Sequence, residues 1–216
     1  MFTRPGSFAV LLPVKSPGTG KSRLGTLRDD ERSRLAAAFA TDVVDACLRT
    51  SGVAGVLVVS DDDAFAATLA ARGARTCADP GGGLNAALRH AAAVLRAERP
   101  DLRPVALCAD LPALTSEDLA AALVDAGSQP GPCFVRDADT TGTTLYSAAY
   151  DEFDPRYGVG SASAHGGSGA RALAGELVTL RRDVDDLDSL TDAIALGLGP
   201  ASTAVVRTIG SLPRRP

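Results

Sequence analysis

PVALCAD, residues 104–110, is an unbroken apolar run that ends in a carboxylate. It limits the possible folds more than any other stretch of the chain. A strand that is apolar at every position must be covered on both faces, as in the middle of a parallel sheet. A sheet with one wet face alternates apolar and polar residues instead. The run is also too short for a buried helix.

The same logic extends along the chain. SFAVLLPV (7–14) and GVLVVS (55–60) read as further strands, and a short one lies near 74–77. Between them, ERSRLAAAFATDVVDACLRT spaces Leu35, Phe39, Val43 and Ala46 at three and four residues, which predicts a helix over about 30–49. SDDD opens a helix through about residue 72, and DPGGGLNAAL opens another that reaches about residue 97. Thr115 and Asp118 form a capping-box-like start to a fourth helix. PCFVRD and GTTLYSA read as strands around a polar turn, followed by the glycine- and serine-rich segment 157–170. ELVTLRRD reads as a strand leading through an acidic turn to a last helix, and the tail from Gly199 carries no clear pattern. Alternating strands and helices predict one α/β domain over residues 1–216, with a mostly parallel sheet covered on both faces.

Composition removes several function classes. No apolar run reaches the 18 residues that a membrane-spanning helix requires. Pro13 and Lys15 interrupt the apolar stretch near the start, which therefore reads as a strand and not a signal peptide. A net charge of −4 argues against a nucleic-acid binder. The four cysteines (Cys47, Cys77, Cys108 and Cys133) form no CxxC pair, as expected of small buried hydrophobes in a cytoplasmic protein.

LLPVKSPGTGKSRLG (11–25) imitates a phosphate-binding P-loop. The GxxxxGK[ST] pattern requires glycine at position 15, where this chain has Lys15, and Pro17 removes a backbone donor from the loop. What remains is a glycine-containing loop after the first strand, carrying Lys15, Lys21 and Arg23 within nine residues. Those cations suit a triphosphate; a solvated basic loop explains the stretch equally well. Asp110 ends the central strand, where open α/β sheets hold ligands and where a carboxylate suits Mg²⁺. It also fits a turn cap. Asp183 and Asp185 in RRDVDDLDSL read, taken alone, as acids at a helix start.

Taken in order, PVKxxxxxxKSRL, GLNxAL, ADLPAL, GTTL, YGxGSAxxH and DVDxxxxL form a set that runs from about residue 8 to residue 200. With this set the chain resembles the guanylyltransferases of deazaflavin coenzyme F-420 biosynthesis, the phosphoenolpyruvate or 2-phospho-L-lactate guanylyltransferase family. The resemblance implies a three-layer nucleotidyltransferase fold, Rossmann-like and GT-A-like. It also implies GTP and Mg²⁺, and transfer of GMP onto the phosphate of phosphoenolpyruvate with release of pyrophosphate. The alternatives are the same reaction on 2-phospho-L-lactate or 3-phosphoglycerate, or a molybdopterin-type nucleotidyltransferase. A GGxSxRMG-like first loop, expected of the last, is missing here.

Carried over motif by motif, the resemblance implies that Asp110 and Asp183 hold the metal. It implies that Thr143, Gly158 and Ser161 hold the phosphorylated acid, and that Lys15, Lys21 and Arg23 meet the triphosphate. Asp79, Gly82, Leu84 and Asn85 would lie along the guanosine; whether the product passes directly to the next enzyme of the pathway stays open. One departure bears on the metal: DVD is followed by Asp186 and Leu187, where the family commonly has Thr-Pro. Whether Asp185 or Asp186 joins the metal set therefore stays open. His165 stays outside the site, since a structural hydrogen bond explains it as well as a contact with the acceptor does.

Overall fold

The computed structural model describes residues 7–19, 24 and 27–209. Seven strands form one sheet: β1 (Phe8–Val14), β2 (Val53–Ser60), β3 (Arg75–Ala78), β4 (Arg103–Leu107), β5 (Cys133–Arg136), β6 (Thr143–Ser147) and β7 (Arg171–Ala172). Their order across the sheet is β3-β2-β1-β4-β6-β5-β7. Strands β1 to β4 run parallel, β5 runs parallel to β7, and β6 alone is reversed between β4 and β5.

Eight α-helices are described, α1 (Asp29–Arg49), α2 (Asp63–Ala70), α3 (Leu84–Glu98), α4 (Ser116–Ser128), α5 (Ser161–Gly167), α6 (Val178–Arg181), α7 (Leu187–Leu196) and α8 (Pro200–Thr208), with two single 3-10 turns at Pro17–Thr19 and Tyr150–Glu152. None is long and apolar enough to cross a membrane.

Adjacent residues of one strand go to opposite faces, which explains the continuous apolar runs. Val10, Leu12 and Val14 pack with Val43 and Val44 of α1 and Leu119 and Leu123 of α4. Ala9 and Leu11 join Leu88, Ala91 and Leu95 of α3 on the other face. Each fully buried Leu or Val of this kind contributes about 1.5–3 kcal/mol.

Three expectations change. ELVTLRR is not a strand. In this part of the chain the strand is confined to Arg171 and Ala172, which pair with β5, and Leu177 adopts φ +44° before the short helix α6. Both the N–H and the hydroxyl of Thr179 donate to Asp118 Oδ2 at 2.7 Å, which ties α6 to the start of α4. That tie also removes one arm of the expected capping box: Thr115 accepts from the Asp118 N–H at 3.3 Å, but the Asp118 carboxylate is engaged with Thr179. Finally, the unplaced tail forms α8, whose first N–H groups (Ala201 and Ser202) donate to the buried Asp42 of α1 at 2.9 and 2.8 Å.

Candidate active site

The carboxyl ends of β1, β2, β4 and β3 converge on one edge of the sheet, and the reversed β6 brings its first residue to that same edge. A cavity of about 310 Å³ opens there, lined among others by Lys15, Phe39, Leu84, Leu88, Asp110 and Tyr157.

Lys15 is exposed and follows β1 directly. Its loop is tied to the end of β2: the Ser16 N–H donates to Asp61 Oδ1 and the Ser16 hydroxyl to Asp62 Oδ2, both at 3.0 Å. Asp62 also caps α2. The Phe65 N–H and then the Ser16 hydroxyl hold its carboxyl below the ordinary range. Lys21 and Arg23, expected beside the same phosphates, lie outside the described residues.

Asp79 and Gly82 lie in the turn between β3 and α3, and Leu84 is the first residue of α3. Asp79 Oδ1 accepts from the Gly81 N–H at 2.8 Å, which shapes the turn, and the half-exposed Leu84 faces the cavity. Asn85 follows Leu84 in α3, and its carboxamide is engaged with the chain at Tyr157. Its Oδ1 accepts from the Tyr157 N–H at 2.8 Å and its Nδ2 donates to the Tyr157 carbonyl at 2.9 Å. Its carboxamide thereby braces the segment that starts at Tyr157, itself a residue of the cavity wall.

The acids form the second group. Asp110 lies three residues beyond the end of β4, and its carbonyl accepts from the Val184 N–H at 2.9 Å. That bond brings Asp183 and Asp185 to Asp110, and carboxylate oxygens of all three lie within 4.8 Å of one another. Burial, then the charges of Asp110, Asp185 and Asp137, push the Asp183 carboxyl up to about 7. An all-oxygen set of three close acids matches the donor chemistry of a hard divalent cation. Asp186 has a different task, because its Oδ1 accepts from the Ser189 N–H at 2.9 Å and caps α7. Of the two acids left open by the sequence, Asp185 is the one in the cluster.

The third group lies beside the acids. The Cys108 N–H donates to the Thr144 carbonyl at 2.9 Å, holding the start of β6 against the chain that leads to Asp110. Thr143 is buried at this start. The Ala162 N–H donates to the Thr141 carbonyl at 3.1 Å, which draws Ser161 to the same place. Gly158 and Gly160 precede Ser161 at φ +140° and +70°, conformations that side chains rarely tolerate. Thr143, Gly158 and Ser161 are thus neighbours. Tyr157 and His165, which sequence reasoning left out of the site, hold them together. Both were visible in the YGxGSAxxH pattern, but nothing in the sequence said what they contact.

The profile of the family described as "Guanylyl transferase CofC like" matches residues 8–209. A phosphoenolpyruvate guanylyltransferase from Geodermatophilus obscurus is 44% identical over 207 residues, covering 93% of this chain and 94% of that one. One from Streptomyces coelicolor is 46% identical over 202 residues, covering 92% and 95%. Among solved structures, a Desulfovibrio desulfuricans G20 protein assigned as a nucleotide-diphospho-sugar transferase superposes with a TM-score of 0.69 at 19% identity, covering 94% of this chain and 95% of that one. The Mycobacterium tuberculosis H37Rv protein Rv0371C, solved in complex with manganese, superposes with a TM-score of 0.53 at 19% identity, covering 88% and 100%. The fold is that of the nucleotidyltransferases, and the chain belongs to the CofC-like guanylyl transferase family.

Proposed function

We propose that the protein transfers GMP from GTP onto the phosphate of phosphoenolpyruvate, releasing pyrophosphate, in deazaflavin coenzyme F-420 biosynthesis in the cytoplasm. The observation that carries this reading is the clustering of Asp110, Asp183 and Asp185 beside Thr143 and Ser161, next to the cavity that Lys15 lines. The relatives' shared name supports the choice of acceptor.

The acceptor is a phosphate monoester, already an anion near neutral pH, so it attacks without a general base. One of its oxygens bonds to the α-phosphorus of GTP, while the bond from that phosphorus to the bridging oxygen of the β-phosphate breaks. The leaving group is pyrophosphate. What the protein must supply is alignment of two polyanions and relief of their repulsion. Lys15, with Lys21 and Arg23 from the same loop, offsets charge on the leaving pyrophosphate. Asp79, Gly82, Leu84 and Asn85 lie along the guanosine. Thr143, Ser161 and the backbone at Gly158 hold the phosphorylated acid.

Asp110, Asp183 and Asp185 would hold Mg²⁺, which when bound supplies Lewis-acid stabilisation of charge on phosphate oxygens.

The test offers GTP and Mg²⁺ with phosphoenolpyruvate, 2-phospholactate or 3-phosphoglycerate separately and follows pyrophosphate, with the next pathway enzyme added to trap a labile product. Pyrophosphate is expected with phosphoenolpyruvate. Turnover with another acid alone would overturn the acceptor, and phosphate release from GTP without any acceptor would indicate a hydrolase.

A further inference from the structure

His165 is completely buried in α5, and its ring is held on several sides. It stacks on Tyr146 with centroids 4.6 Å apart and an interplanar angle of 19°, and meets the edge of Tyr157 at 5.5 Å and 80°. Its Nε2 lies 2.9 Å from the backbone nitrogen of Arg156, and its Nδ1 lies 3.0 Å from Thr143 Oγ1.

These two contacts fix the tautomer. A backbone N–H can only donate, so Nε2 carries a lone pair and no proton. The neutral ring then has its proton on Nδ1. A protonated Nδ1 can only donate, so Thr143 Oγ1 is the acceptor. The burial that holds the imidazole neutral, with a pKa lowered to about 4, agrees with this arrangement. With an accepting lone pair of Oγ1 engaged by His165, the Thr143 hydroxyl proton points elsewhere.

The strand geometry adds a second observation. Thr143 and Tyr146 would face opposite sides in a regular strand, yet both meet His165. The β5–β6 register shifts between Val135 and Arg136: Val135 faces Leu145 and Arg136 faces Thr143, which leaves Thr144 as an extra residue. This bulge lets Thr143 reach the imidazole edge at Nδ1 while Tyr146 stacks on its face.

We propose that His165 is a positioning residue that makes the Thr143 hydroxyl a fixed donor to the phosphorylated acid. The inference rests on the reading that Thr143 holds that acid. His165 touches no reacting atom; it sets the direction of a hydroxyl that would otherwise rotate. The Arg156 N–H in turn sets the direction of His165.

The test compares two carboxamides. His165→Asn keeps a donor near Nδ1 and loses the Nε2 acceptor, whereas His165→Gln keeps an acceptor near Nε2 and loses the donor to Thr143. Steady-state KM for phosphoenolpyruvate and for GTP is measured for both, for Thr143→Val, and for Thr143→Val/His165→Gln. Thr143→Val and His165→Gln are each expected to raise the phosphoenolpyruvate KM about tenfold with the GTP KM unchanged, the size of one lost hydrogen bond. His165→Asn is expected to stay within about twofold of the parent, and the double variant to match Thr143→Val alone. Equal losses in the Asn and Gln variants, or additive losses in the double variant, would mean a merely structural histidine and overturn the inference. A normal phosphoenolpyruvate KM in Thr143→Val would overturn the reading beneath it instead, and the inference with it. Should a variant not fold, a long-range ¹H–¹⁵N spectrum of the parent protein reads the tautomer directly. A proton on Nδ1 is expected, and one on Nε2 overturns the proposal.

Discussion

The side-chain amide of Asn85 pairs with the backbone of Tyr157 at both its N–H and its carbonyl, 72 residues away in sequence. It works as a one-residue strand edge, fastening the start of α3 to the segment that carries Gly158 and Ser161. Asn85→Ala removes two hydrogen bonds and leaves two backbone groups unanswered, a loss of about 1–3 kcal/mol. The expected kinetic result is a higher KM for the phosphorylated acid with a smaller change for GTP. Steady-state kinetics with a matched thermal melt checks both parts.

Asp110→Asn is expected to lower divalent-dependent transfer by ~100-fold or more, because it removes a charge from a three-carboxylate set. The fold should survive, since the Asp110 carbonyl that receives the Val184 N–H is unchanged. Calorimetric titration with Mn²⁺ should show weakened binding while circular dichroism stays that of the parent. Full activity in this variant would rule out the metal assignment.

His165 makes stability depend on pH in a predictable direction. Burial and then the nearby Arg156 charge lower its pKa to about 4, partly opposed by the Ser161 backbone and by Asp154. The unfolded chain protonates near the ordinary value of about 6.5, so between these values it binds more protons than the folded one. This contribution to stability is complete above about 6.5, declines as pH falls toward 4, and is worth up to ~3 kcal/mol. Urea midpoints from pH 4.5 to 7.5 should fall on the acid side in the parent and less steeply in His165→Asn. Parallel curves would refute the assignment.

Asp42 accepts two backbone bonds from the start of α8, and a Cβ at Gly199 would overlap its carboxylate. Asp42→Ala is expected to cost about 2 kcal/mol through the lost cap. Gly199→Ala should cost about 1–3 kcal/mol through crowding. For a chain of this size each kcal/mol lowers Tm by about 2–4 °C. A melt within 1 °C of the parent, well inside that scale, would contradict the contact.

Sequence reasoning recovered what local pattern encodes. The strands of β1, β2 and β4, the spacing of α1, and Asp110 at a sheet edge follow from periodicity and from where apolar runs stop. Val178, Thr179 and Leu180 were misread as a strand because propensity is weak against a specific tertiary bond, here Thr179 to Asp118. The association of Asp185 with Asp110 depends on one long-range backbone bond through Val184, which no spacing rule reveals. Asp186 looks identical to Asp185 in sequence, yet it caps a helix. His165 belongs to the YGxGSAxxH pattern, but its partners Thr143 and Arg156 come from outside that pattern.

Helix α8 follows every candidate site residue in the chain and contributes none of them. Val205, Val206 and Ile209 pack on the cluster that contains Leu35 and Phe39, and Phe39 also walls the cavity. A stop codon just before Pro200 would still encode Asp110, Thr143, Ser161 and Asp183. It would nevertheless uncover the back of the pocket wall and strand the Asp42 carboxylate without its two N–H partners. Such an allele should score as a null in a complementation screen, although every candidate contact with substrate is still written in the gene.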